Sequence, residues 1–125
     1  MEPLTEAPHE DGHITGVFCM NAVGFSIKPM FILKNLVFLP PELKQFIDEA
    51  SLSTQASGWM TRRLFFNWCV NFVHELSAYR LTLPPMLRNA RATLVTDGHT
   101  SRMDVLACQY LHDNYVDMVV LPAHT

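Results

Sequence analysis

The chain has 125 residues, 49% of them hydrophobic and 17% charged, which is the size of one ordinary domain with enough apolar material for a core and argues against wholesale disorder. Its formal net charge of −3 argues against a self-sufficient nucleic-acid-binding module, because such modules draw most of their affinity from a basic surface. Cys19, Cys69 and Cys108 are odd in number, far apart and set in apolar stretches, which fits reduced thiols in a nuclear or cytoplasmic protein better than a secreted disulfide framework.

Residues 1–12 read as an acidic, proline-bearing polar leader, neither a signal peptide nor a basic transit peptide. The segment 13–22 (HITGVFCMNA) is short, apolar and rich in strand formers, and Gly24 marks a turn after it. Residues 27–34 (IKPMFILK) form a second strand candidate, so 13–34 predicts a hairpin. Pro29 has no N–H and belongs at a strand start or an edge. The most apolar run, 30–39, is interrupted by Lys34 and Asn35 and is far short of the roughly 20 residues that cross a bilayer, so no membrane partner is expected.

After Pro40-Pro41 a short helix is expected over 42–50, with Pro41 at its first position. The Ser/Thr-rich stretch 51–58 reads as a surface connection. The clearest periodic element runs from Thr61 to Arg80: Leu64, Phe65, Trp68, Phe72, Val73 and Leu76 share one helical face, with Thr61 as N-cap. That aromatic stripe reads as core rather than as a ligand site. Residues 91–97 (RATLVTD) form a third strand and 103–115 a helix, with Val105, Leu106, Tyr110 and Leu111 at its apolar positions. Residues 116–121 (VDMVVL) form a fourth strand. The order β-β-α-β-α-β ends in an α/β alternation that predicts a parallel pair.

Asp97 is the sharpest chemical feature, a carboxylate at the C-terminal end of an apolar strand, followed by Gly98, His99, Thr100 and Ser101. Ligands of α/β sheets bind beyond the carboxyl ends of strands, and a carboxylate there can hold a hard cation such as Mg²⁺. It reads equally well as a cap of the helix that follows, and His99 as a loop or capping histidine. Cys108 and His112, and likewise His9 and His13, lie four apart but lack the second pair that a zinc site needs. There is no phosphate-binding glycine loop, GxSxG elbow or HExxH.

Four blocks, in order, resemble the DDE superfamily endonuclease domain of pogo/Tigger-like, mariner-related transposases. Asn21-Ala22-Val23-Gly24 with Lys28-Pro29-Met30-Phe31-Ile32 is similar to the family's "NAxG…PMxI" hairpin. Ser57-Gly58-Trp59-Met60-Thr61 followed by Phe65, Trp68 and Phe72 resembles "sGWMt…F..W…F", the most specific block, whose core is Gly58, Trp59, Phe65 and Trp68. Leu94 to Ser101 resembles "lllDgHsSH". Leu121-Pro122-Ala123-His124-Thr125 resembles the opening of "LPpHtSHxlQPLD". The resemblance covers residues 13–125.

The resemblance implies an RNase H-like α/β fold, a mixed sheet flanked by helices, here incomplete, with the first strand and the C-terminal part missing. It implies metal-dependent DNA cleavage and strand transfer, in which three carboxylates hold two Mg²⁺ or Mn²⁺ ions. Asp97 matches the family's second catalytic aspartate, with His99 and Ser101 as supporting residues of the same motif. The first aspartate belongs to a strand whose place is taken by residues 1–12, where Glu10 and Asp11 lack strand context. The third follows "QPLD", beyond Thr125, and Arg102 stands where many relatives have histidine. One carboxylate of three is therefore assignable. The expectation is a fragment of a nuclease domain, nuclear or cytoplasmic, with DNA as partner of the complete protein. It would be marginal or self-associating alone, because the strands beside the missing one keep open edges. The alternative is a domesticated, non-catalytic DNA- or protein-binding module.

Overall fold

The computed structural model describes residues 14–34, 41–45, 48–98 and 104–122. The protein is mixed α/β and divides into two compact units, Met1–Met60 and Thr61–Thr125. Among the described residues the strands lie in two sheets, one of three strands and one of two. The expected leader at 1–12 lies outside the described residues.

In the first unit, β1 (Ile14–Val17) and β2 (Met30–Lys34) pair antiparallel, with Val17 opposite Met30. Toward the tip, Met20 bridges Ser26 and Ile27 N–H donates to the Cys19 carbonyl. The pairing has shifted by one position there, so an extra residue sits in the returning strand around Lys28-Pro29. A bulge is where a strand tolerates a residue with no N–H to give. Asn21 closes the tip: its Oδ1 accepts from the amides of Val23 and Phe25, and Gly24 takes φ +98°. The expected hairpin is therefore present, with Pro29 immediately before β2.

Two expectations in this unit need correction. The helix expected over 42–50 is the single turn α1 (Pro41–Lys44), closed by Gln45 Nε2 donating to the Glu42 carbonyl, and residues 48–49 are already a turn. The expected surface connection at 51–58 begins with a strand, β3 (Ser51–Gln55), parallel to β2 with Met30 opposite Ser51. Ser and Thr say little about strand formation by themselves. The free second edge of β2 offers these residues a hydrogen-bonded ladder, and that overrides local preference. Gln55 then ends the strand by accepting the Ser57 amide and hydroxyl on Oε1, both at 2.7 Å. Gly58 turns the chain with φ +78°, and its carbonyl accepts Thr15 Oγ1 at 2.7 Å.

In the second unit, α2 (Arg62–Arg80) has the expected boundaries, and Thr61 caps it by accepting the Leu64 amide at 3.1 Å. Phe65, Trp68, Phe72, Val73 and Leu76 are buried as the periodicity requires; Cys69 joins them, while Leu64 is only half-buried. The rings of Phe65, Trp68 and Phe72 stack nearly parallel, with centroids 6.0 and 5.3 Å apart. The helix ends at Arg80 with Leu81 as its C-cap, and Pro84-Pro85 then lead into a short 3₁₀ turn, Pro85–Leu87.

β4 (Ala92–Thr96) and β5 (Val116–Val120) form the expected parallel pair, connected through α3 (Val105–Asp113). The apolar phase of α3 differs from the one expected: Ala107 and Leu111 are buried, four apart, whereas Val105 and Leu106 are 76% and 70% exposed. Tyr110 lies against Phe66 of α2, ring centroids 5.5 Å apart. Leu94 and Val116 face inward, while the pair Val95 and Val119 is exposed on the other side of the sheet.

Candidate functional site

Asp97 is placed by β4. The parallel ladder runs to Thr96 opposite Val120, and one further bond, Leu121 N–H to the Thr96 carbonyl at 2.8 Å, extends it to the strand end. Asp97 is the next residue, exposed, with Gly98 half-buried behind it. The carboxylate thus stands at the carboxyl edge of a parallel pair, the side on which α/β sheets bind ligands.

The cap reading of Asp97 does not hold for α3. That helix starts at Val105, and its cap position is Asp104, whose carboxylate makes no cap hydrogen bond. Asp104 thus offers a second carboxylate in the return from β4, which the sequence reading missed. Its signal was available: an acid immediately before an apolar helical stretch. His99 and Ser101, the proposed supporting residues, and the His124 block lie outside the described residues.

Of the motif residues, Phe65 and Trp68 belong to the core of the second unit and Gly58 makes a turn in the first. Trp59 is not a core side chain; it is 57% exposed. Trp68 Nε1 is buried without an acceptor, an uncommon state for an indole N–H. Among the described residues no group of three His, Cys, Asp or Glu comes together as metal ligands, around Cys108 and His112 or elsewhere.

The opposite edge of the same sheet is built around two arginines. Arg80, at the end of α2 and 9% exposed, donates to the carbonyls of Ala90, Asn114 and Tyr115 at 3.1, 3.0 and 2.8 Å. Burial, and then the neighbouring charge of Arg91, lower its pKa, and the three carbonyls supply the acceptors a desolvated guanidinium requires. Arg91 makes a two-pronged pair with Asp117, Nε to Oδ2 and Nη2 to Oδ1, both at 2.8 Å. That pairing holds the Asp117 carboxyl below its ordinary range. Between them lies Tyr115, the one non-glycine with positive φ (+63°) among the described residues.

No helix of the described residues is long and apolar enough to cross a membrane. Compared with protein-family models, curated proteins and solved structures, the chain matches none.

Proposed function

We propose that the chain is part of a DDE-type, RNase H-like nuclease domain in which Asp97 is one of the carboxylates that hold Mg²⁺ or Mn²⁺ against DNA. One observation carries the reading: the aspartate of the Leu94–Ser101 block stands one residue beyond a strand of a parallel pair, exposed at its carboxyl edge. The two-sheet arrangement also supports it. An antiparallel hairpin and a parallel pair joined through a helix are both elements that such a fold contains. β3, on the far side of β2, is an addition to that plan.

The described residues do not make a complete metal site. Mg²⁺ keeps most of its waters and needs further carboxylates or substrate phosphates beside a single aspartate. Asp97 therefore serves as one ligand of a site completed by other groups, and catalysis by this chain alone is not expected. The test is a Mn²⁺ titration followed by NMR. Broadening centred on the Gly98 amide that disappears in Asp97→Ala supports the reading; broadening unchanged by that substitution removes it.

A second reading, a non-catalytic binding module, is favoured by the net charge of −3 and by an open apolar face on the first sheet. Ile14, Phe31, Leu33 and Leu52 line there a cavity of about 500 Å³ with Glu49 at its rim. Partner or DNA binding that survives both Asp97→Ala and a chelator would select the module over the nuclease.

A further inference from the structure

Beyond α2 the chain holds large apolar side chains out in water. Leu81, Met86 and Leu87 are exposed, Met86 to 86%, whereas Leu83 among them is half-buried. The segment is nonetheless firmly built. Thr82 donates its N–H and Oγ1 to the Tyr79 carbonyl, Leu87 its N–H to the Pro84 carbonyl, and Arg88 its Nε to the Leu83 carbonyl at 3.1 Å. Pro84 and Pro85 restrict the backbone further. Single exposed apolar residues are ordinary, but an ordered loop presenting three together has the make-up of an anchor for a partner's pocket. Its charge narrows the choice of partner, for residues 76–96 contain three arginines and no acid in a chain of net charge −3. Arg80 is buried among carbonyls and Arg91 is paired with Asp117, so of the three it is Arg88 that offers a cation beside Met86 and Leu87. Such a loop fits an apolar pocket with a carboxylate at its rim.

The first sheet has a pocket of that kind. Ile14 and Leu33 are cross-strand partners, as are Phe31 and Leu52, so all four share the face that floors the cavity of about 500 Å³, and Glu49 is its one charged lining residue. Two such grooves set face to face would bring two carboxylates together, which disfavours pairing of like with like. We propose that the chain binds a second copy of itself head to tail: the 81–88 loop of one copy docks in the first-sheet groove of the next, with Met86 and Leu87 against Phe31, Leu33 and Leu52, and Arg88 toward Glu49. The proposal rests on the binding reading of that groove and is independent of the metal reading of Asp97. Because the two surfaces differ, a dimer keeps one unused loop and one unused groove, and assembly continues past it.

The test is sedimentation velocity of the full chain over a concentration series from micromolar to near-millimolar. The weight-average sedimentation coefficient should rise with concentration, and Met86→Glu and Leu52→Glu should each weaken association by about tenfold or more. Mixed in equal amounts, these two variants should form a heterodimer and nothing larger, because one intact loop then meets one intact groove. Should Leu52→Glu lose its fold by circular dichroism, the exposed charges serve instead: Arg88→Glu and Glu49→Arg each weaken association, and the two combined in one chain restore it. A parent chain that stays monomeric throughout overturns docking between copies, and leaves partner binding by the groove to its own test with Asp97→Ala and a chelator. Association that the loop and groove variants leave unchanged, or variants that do not combine on mixing, overturn it as well.

Discussion

The two sheets of this protein are held in different ways. The first is a backbone ladder around one strand: β2 is hydrogen-bonded on both edges, and Met30 and Ile32 are all but inaccessible, yet its other face stays open at Phe31 and Leu33. The second has two strands among the described residues, too few to stand alone in water. It is supported by a 19-residue helix with a stacked aromatic stripe and by a buried guanidinium that gathers three carbonyls. The difference shows that a minimal parallel pair relies on a side chain where a larger sheet relies on neighbouring strands.

The sharpest way to break this contrast is Arg80→Met. It takes a guanidinium donor from three carbonyls of the second unit, of which Tyr115 keeps the Ala92 amide, and we expect a loss of about 3 kcal/mol in urea unfolding, with amide exchange rising first in α3 and β5. Ile32→Ala should cost about 3 kcal/mol and raise exchange first in β1 to β3. If both substitutions open the same amides, the two units share one cooperative transition and the contrast fails. Trp68→Phe should change stability by no more than about 1 kcal/mol, because the lost ring area is offset by removing a buried N–H that has no acceptor. A loss well beyond that would mean the indole N–H finds an acceptor in solution.

The smallest effect is set by pH. Asp117 has its folded pKa lowered, chiefly by the hydrogen bond from Arg91, so its contribution is present above the ordinary aspartate value of about 3.9 and disappears as pH falls through the lower folded value. Acid titration of Asp117→Asn should lack that component, and the second unit alone should show the difference.

What was legible in the sequence follows the strength of each signal. The period of Phe65, Trp68, Phe72 and Leu76, with Thr61 before it, specifies α2 almost to the residue. Two short apolar stretches rich in strand formers, on either side of Gly24, specify the hairpin. β3 was illegible because Ser51-Leu52-Ser53-Thr54-Gln55 becomes a strand through the open edge of β2, a partner the local sequence does not show. The phase of α3 was misread because a nine-residue helix with apolar residues at 105, 106, 107 and 111 supports more than one face. The place of Asp97 could be read from strand and turn together. The role of Arg80 could not, since a basic residue in a last helical turn ordinarily signifies no more than a favourable dipole.

Arg80 has one further consequence, and it concerns time. Its acceptors lie 10, 34 and 35 positions along the chain, so the guanidinium finds all three only after β4 has begun and α3 has turned back into β5. An interaction that needs β4, α3 and β5 in place is expected to form after the folding transition state. It therefore governs how long the second unit stays folded rather than how quickly it forms. In stopped-flow experiments, Arg80→Met should accelerate unfolding while leaving the refolding rate nearly unchanged.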